Sequence, residues 1–226
     1  MGKKNKLARF AENILLPNVI QPTREEALNN FHLKGKWHRE VFKNDNPIVL
    51  ELGCGKGEYS VGLAEAFPEK NFVGIDIKGA RFWFGAKEAI EKSLSNVAFL
   101  RTQIELVDYF FAENEVDEIW ITFPDPQIKY RRTKHRMTHP EFLARYKKIL
   151  KSDGIIHLKT DSEFLHGYTL GILQGMGEEI ISAHHDIYGA PEYEPGTPLL
   201  REIRTYYEEL FSAKGKTITY IKFRLK

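Results

Sequence analysis

The chain has 226 residues, enough for one sizeable α/β domain plus an extension, and its 42% hydrophobic and 28% charged content is that of an ordinary soluble globular protein. No apolar run is long enough to span a bilayer, and the basic start MGKKNKLARF lacks the apolar core of a signal peptide. A single cysteine, Cys54, excludes an intramolecular disulfide and suits a reducing compartment, so a cytoplasmic protein is expected, as a monomer or a homodimer.

Lys3, Lys4, Lys6 and Arg9 precede the first acid, Glu12, and residues 1–46 read as a basic, helical extension. Thr23 is a good N-cap ahead of Glu25 and Glu26, so a helix is expected to start there. Pro47 marks the boundary of a second segment, 47–226, because the residue before a proline is pushed out of helical geometry. From there short apolar stretches at 48–52, 72–76, 97–101, 117–123 and 155–160 predict strands, and 57–66, 79–93 and 139–150 carry helical spacing between them. Ser152-Asp153-Gly154 predicts a turn into the fifth strand. A helix at 162–174 and strands near 179–184 and 216–223 end the pattern. Near-continuous apolar strands separated by helices imply a parallel sheet covered on both faces. The expected fold is α/β: a seven-stranded, mostly parallel sheet closed by a C-terminal antiparallel hairpin.

The chemistry gathers at predicted strand ends, where an open parallel sheet binds its ligands. Residues 48–57, IVLELGCGKG, join a buried strand, a tight glycine turn and a helix start. A dinucleotide fingerprint needs a third glycine at position 58, which is Glu58, whereas the glycines here are Gly53, Gly55 and Gly57. Glu51 interrupts the apolar strand, so its carboxylate should face a cation or several donors. An acid at that mouth suits a sulfonium or ammonium better than a diphosphate, which points to S-adenosylmethionine and methyl transfer; a structural contact for Glu51 is the plainer alternative. Asp76 ends the second strand, where a carboxylate commonly accepts ribose hydroxyls. Gln103 follows the third and suits either an adenine edge or a helix cap.

After the fourth strand, Phe123-Pro124-Asp125-Pro126 fixes one aspartate between two prolines, as a reactive-end carboxylate or as a rigid solvated turn. Lys129, Arg131, Arg132, Lys134 and Arg136 follow with no acid among them. Such a run is either a solvated loop or, beside a methyl-transfer site, a grip on a phosphate-bearing substrate. Asp161 ends the fifth strand as a further carboxylate or a helix cap. Thr205-Tyr206-Tyr207-Glu208 reads equally well as helix core and surface. The eight histidines show no metal-ligand spacing, so no metal is expected.

Together, Gly-Lys-Trp at 35–37, ELGCGKG at 51–57, FPDPQIKYRRTKHR at 123–136, Thr160-Asp161 and Thr205–Glu208 resemble the bacterial tRNA (guanine-N7)-methyltransferases along nearly the whole chain. The resemblance implies a Rossmann-like fold and methyl transfer from S-adenosylmethionine to N7 of a variable-loop guanosine, position 46 of the tRNA. It implies that Glu51, Asp76, Gln103 and Asp125 line the cofactor, with Asp125 at the catalytic centre, while the turn itself puts Gly53, Gly55 and Gly57 against the same ligand. By the resemblance Lys129, Asp161 and Thr205 to Glu208 would contact tRNA, and by the basic-run reading Arg131 and Arg132 join them. Two positions depart from the family pattern: Gln103 where Asp is common, and Gln127 where Trp is usual. The alternatives are a methyltransferase acting on another RNA or a small molecule, and an RNA-binding module with a decayed cofactor site.

Overall fold

A computed structural model of the chain describes residues 3–189 and 200–226. Its strands are β1 (Val19–Ile20), β2 (Ile48–Leu52), β3 (Asn71–Ile75), β4 (Val97–Leu100), β5 (Val116–Thr122), β6 (Leu150–Thr160), β7 (Glu179–His184) and β8 (Thr219–Arg224). All eight form one sheet in the order β1-β4-β3-β2-β5-β6-β8-β7. Pairing is parallel from β1 to β6, and β8 runs antiparallel to both β6 and β7. The sheet has one strand more than the sequence pattern implies. Val19-Ile20 pairs with Phe99-Leu100, and two residues carry no periodicity by which to recognise a strand.

The helices are α1 (Lys3–Glu12), α2 (Arg24–Leu28), α3 (Glu58–Ala66), α4 (Gly79–Glu91), α5 (Val107–Phe110), α6 (Pro140–Ile149), α7 (Glu163–Met176) and α8 (Tyr206–Ser212). Thr23 caps α2 with a full capping box to Glu26, as its sequence predicts. No helix among the described residues is long and apolar enough to cross a membrane.

Every residue of β2, β3 and β4 is buried, because helices cover both faces of the sheet. Side chains alternate across it: Leu50 and Leu52 join a core with Phe110, Phe142 and Tyr146, while Val49 joins one with Tyr59, Phe82, Phe99 and Trp120. By the same alternation Glu51 points to the side of Val49, beneath α3. Residues 27–42 pack into the first core. Trp37 is fully buried, stacks on Phe111 at 4.9 Å and donates its indole N–H to the Phe110 carbonyl at 2.9 Å. Glu115 accepts the backbone N–H groups of Gly35 and Trp37 from the other side of this contact.

The expected turn at Ser152–Gly154 lies inside a longer strand. Val116 pairs with Leu150 and Glu118 with Ile155, so four residues of β6 face one of β5 and bulge outward with Ser152 and Asp153 exposed. Beyond β2 the chain winds outward through β3 and β4, then returns to place β5 against the other side of β2. The strand order therefore reverses between β2 and β5, and a crevice is expected at their carboxyl ends.

Candidate active site

The two segments leaving β2 and β5 at that reversal are the glycine turn and the FPDP loop, and they face each other across a cavity of about 610 Å³. Glu51, Gly53, Cys54 and Gly55 form its floor, Phe123 to Pro126 one wall, and Asp161 with Thr205, Tyr206 and Tyr207 the opposite rim.

The turn's backbone is used internally. Gly53 and Cys54 donate their N–H groups to Ile75 O, Gly57 donates to Cys54 O, and Gly55 donates to Asp76 Oδ2 at 3.1 Å. Gly53 and Gly55 have positive φ (78° and 57°) and meet the cavity with bare backbone. Gly57 acts differently, since a Cβ there would lie 2.6 Å from the Phe99 ring and 3.3 Å from Gly85 Cα. Its place is in the packing of α3 on β4 and α4, not on the cavity wall.

Glu51 is buried at 3% exposure and accepts from Ser60 N (2.9 Å), Ser60 Oγ (2.5 Å) and Thr122 Oγ1 (2.7 Å). Burial pushes its carboxyl up to about 7 against the pull of those three donors. A cation in the cavity would reverse that shift. Asp76 holds the turn through Gly55 and accepts from Lys78 N at 2.8 Å. Gln103 is exposed beyond β4, and its side chain makes no cap bond to the short 3-10 turn that follows.

Asp125 is exposed at the cavity lip, where Oδ1 accepts from Gln127 N at 3.0 Å. The residues flanking its two prolines, Phe123 (φ 48°) and Gln127 (φ 47°), are both left-handed. Non-glycine residues reach that region at a cost of about 1–2 kcal/mol each, so surrounding contacts hold the loop in place. Phe123 N donates to Lys159 O at 2.8 Å, and Arg136 donates to Gln127 O at 3.1 Å. Lys129, which precedes the 3-10 helix Tyr130–His135, and Arg131 and Arg132 on it stand exposed next to the cavity but do not line it. Arg136, the last cation of the run, is buried and serves the loop's structure.

Asp161 lines the rim and is paired with Lys216 Nζ at 2.8 Å. Thr205 caps α8 by accepting from Glu208 N at 3.1 Å, while Tyr206 and Tyr207 are exposed toward the cavity. Glu208 corrects the expectation of a direct contact, because it is fully buried. One oxygen pairs with Lys159 Nζ at 2.8 Å and the other accepts from Tyr188 Oη at 2.6 Å. Lys159 is equally buried, which lowers its ammonium to about 8 despite the partner. Glu208 thus positions α8 from below.

Sequence reasoning missed the residues that bring α8 over the glycine turn. Glu58 accepts from Tyr206 N at 3.1 Å, and Lys56 lies 4.2 Å over the Tyr206 ring. The only signal was Glu58 standing where a glycine would be needed for a diphosphate.

A family model described as "Putative methyltransferase" matches residues 45–221 of the chain. A protein of Christiangramia forsetii named tRNA (guanine-N(7)-)-methyltransferase is 66% identical, with all of both chains covered. One of the same name from Bacteroides fragilis is 51% identical over all of this chain and 87% of its own. Among solved structures, the 16S rRNA methyltransferase KamB aligns with a TM-score of 0.62 at 13% identity, covering 83% of this chain and 92% of that one. A SAM-dependent methyltransferase from Aquifex aeolicus aligns with a TM-score of 0.54 at 16% identity, covering 99% and 97%. These two share the fold. With an acid-floored cavity at its strand-order reversal and end-to-end kinship at two-thirds identity, the chain belongs to the tRNA (guanine-N7)-methyltransferase family.

Proposed function

We propose that the protein transfers a methyl group from S-adenosylmethionine to N7 of guanosine in tRNA, at variable-loop position 46, in the cytoplasm. The observation that carries this reading is the cavity itself: a buried carboxyl, Glu51, on the floor and two further carboxylates, Asp125 and Asp161, on its walls. That set fits a cationic donor below and a purine that becomes cationic above.

S-adenosylmethionine supplies an electrophilic methyl group on a sulfonium. Glu51 answers the donor's positive charge, Gly53 and Gly55 allow close approach, and Asp76 and Gln103 serve the nucleoside end, with Gly57 holding the turn's helix in register. Guanine N7 is a bare acceptor lone pair and needs no deprotonation before it attacks. Positive charge passes from sulfur to the purine and no proton is released, so the chain's task is alignment and charge stabilisation. Alignment alone is worth roughly 7–11 kcal/mol of barrier. Asp125 and Asp161 stabilise the purine cation and accept from guanine N1–H and its amino group. Lys129, Arg131 and Arg132 hold phosphates, and Tyr206 and Tyr207 meet the RNA on a helix set by Thr205 and Glu208. In this reading residues 47–226 carry the chemistry and residues 1–46 are its extension.

The test is labelled S-adenosylmethionine with unmodified tRNA transcript and nucleotide mapping of the product. Label is expected at N7 of the guanosine at position 46; folded protein that places none at guanine N7 refutes the activity. Asp125→Ala should lower turnover by roughly 10²–10³-fold with an unchanged melting temperature. Retained turnover would remove Asp125 from the catalytic centre.

A further inference from the structure

Next to the donor cavity is a second depression, of about 670 Å³, between the basic loop and α7, which the proposed chemistry does not use. Ile128 lines both, so the two are neighbours. The guanidinium of buried Arg136 lies 4.7 Å from the Phe164 ring and 4.4 Å from the Tyr168 ring, so a cation and two aromatic rings line one depression. Carbonyls of Gln127 and Ile128 fix that guanidinium at 3.1 and 3.4 Å. Tyr130 stands at the rim with 93% of its surface exposed, and Phe164 with 43%. At Gly167 the wall is bare helix backbone, where a Cβ would meet nothing within 4 Å.

Three features select the ligand. Exposed aromatic faces beside a guanidinium plane are the surface on which unpaired bases stack. Glu163 on the same wall repels a phosphate but can accept from a base's N–H edge. Exposed Lys129, Arg131 and Arg132 adjoin Tyr130 in sequence and supply the charge for the sugar-phosphate chain on either side. We propose that this groove is a stacking subsite for an unpaired nucleobase flanking the guanosine that enters the donor cavity. The inference rests on the tRNA reading above and extends it to how the target's neighbour is held.

The experiment measures tRNA methylation kinetics and tRNA binding across a salt series for wild type, Tyr130→Ala, Tyr130→Phe, Phe164→Ala and Gly167→Leu. The last fills the groove without removing any contact. The alanine variants and Gly167→Leu should raise KM for tRNA by about fivefold to a hundredfold, the range of one lost base stack. Tyr130→Phe should keep the wild-type value, and cofactor affinity should not change in any of them. The salt slope should stay as in wild type, since no phosphate contact is lost, while Arg131→Ala should flatten it. Transcripts carrying 2-aminopurine beside the target should be quenched by wild type and not by Tyr130→Ala. Wild-type KM in both Tyr130→Ala and Gly167→Leu overturns the subsite, and so does a loss that comes with a flattened salt slope. Loss of self-association in these variants, with tRNA kinetics intact, assigns the groove to a second copy and overturns it as well. If wild type methylates no tRNA, the functional reading fails; if it does and the variants match it, only the subsite fails.

Discussion

Glu51 makes the sharpest prediction, because one group should set both a stability profile and a binding profile. Burial raises its carboxyl from the ordinary 4.5 to about 7 in the folded chain. Between those two values the folded state binds more proton than the unfolded one, so stability falls as pH rises from about 4.5 to 7 and levels off above. The gap corresponds to about 3 kcal/mol. Glu51→Gln removes the titration with little disturbance: the amide oxygen can accept from Ser60, and the Thr122 hydroxyl can turn to accept from the amide nitrogen. Denaturant unfolding of both proteins from pH 4.5 to 8 isolates the group from all other titrations. The wild-type stability relative to the variant should decline by about 3 kcal/mol across that window. A cationic donor needs the ionised form, so the affinity of wild type for S-adenosylmethionine should rise about fivefold between pH 6 and pH 7, below the ligand's own amine titration, with proton release. The variant's affinity should be flat and lower. Parallel unfolding curves would refute the raised titration of buried Glu51, and a wild-type affinity that ignores pH over that interval would refute the placement of a cation beside it.

The remaining predictions concern the frame of the site. Gly57→Ala should cost roughly 2–4 kcal/mol, since the methyl meets the Phe99 ring at 2.6 Å at a φ of 82°; thermal unfolding reads it, and a loss under about 1 kcal/mol would mean that α3 slides away cheaply. Lys159→Met leaves Glu208 buried without its partner and should cost about 3–5 kcal/mol, whereas Lys159→Met with Glu208→Leu should recover most of it, leaving Tyr188 to find water. A double variant no more stable than the single one contradicts that account. Trp37→Ala should destabilise the whole chain by about 3–5 kcal/mol in a single transition, because the indole is fully buried between Phe31 and Phe111. A separate early transition would show that the first 46 residues unfold on their own.

Much of the site was legible because its residues sit where strands end. Glu51 lies one residue from the end of its strand, Asp125 and Asp161 follow theirs, and Asp76 follows the next strand to hold the turn; a parallel sheet brings such ends to one edge without any further information. Strand β2 begins and ends where the pattern places it, at Ile48 and Leu52. The misjudged pieces lacked a local signal. A two-residue strand has no period, and β6 starts at Leu150 because β5 holds it there across a bulge, although Ser152–Gly154 reads as a turn. Glu208 misled for a different reason. Its contact with tRNA was implied by the family resemblance, its local pattern read equally well as core and surface, and only the arrival of Lys159 from β6 makes its burial tolerable.

Sequence alone determined the alternation of strand and helix, the glycine turn under an acid and the aspartate between prolines, since each depends on neighbours within a few positions. Only tertiary structure decided which donors hold Glu51, that Gly57 is demanded by Phe99, that Lys216 covers Asp161, and that Glu58 draws α8 over the cavity. Those contacts join residues from about ten to nearly 150 positions apart, and chain folding rather than local preference sets their distances.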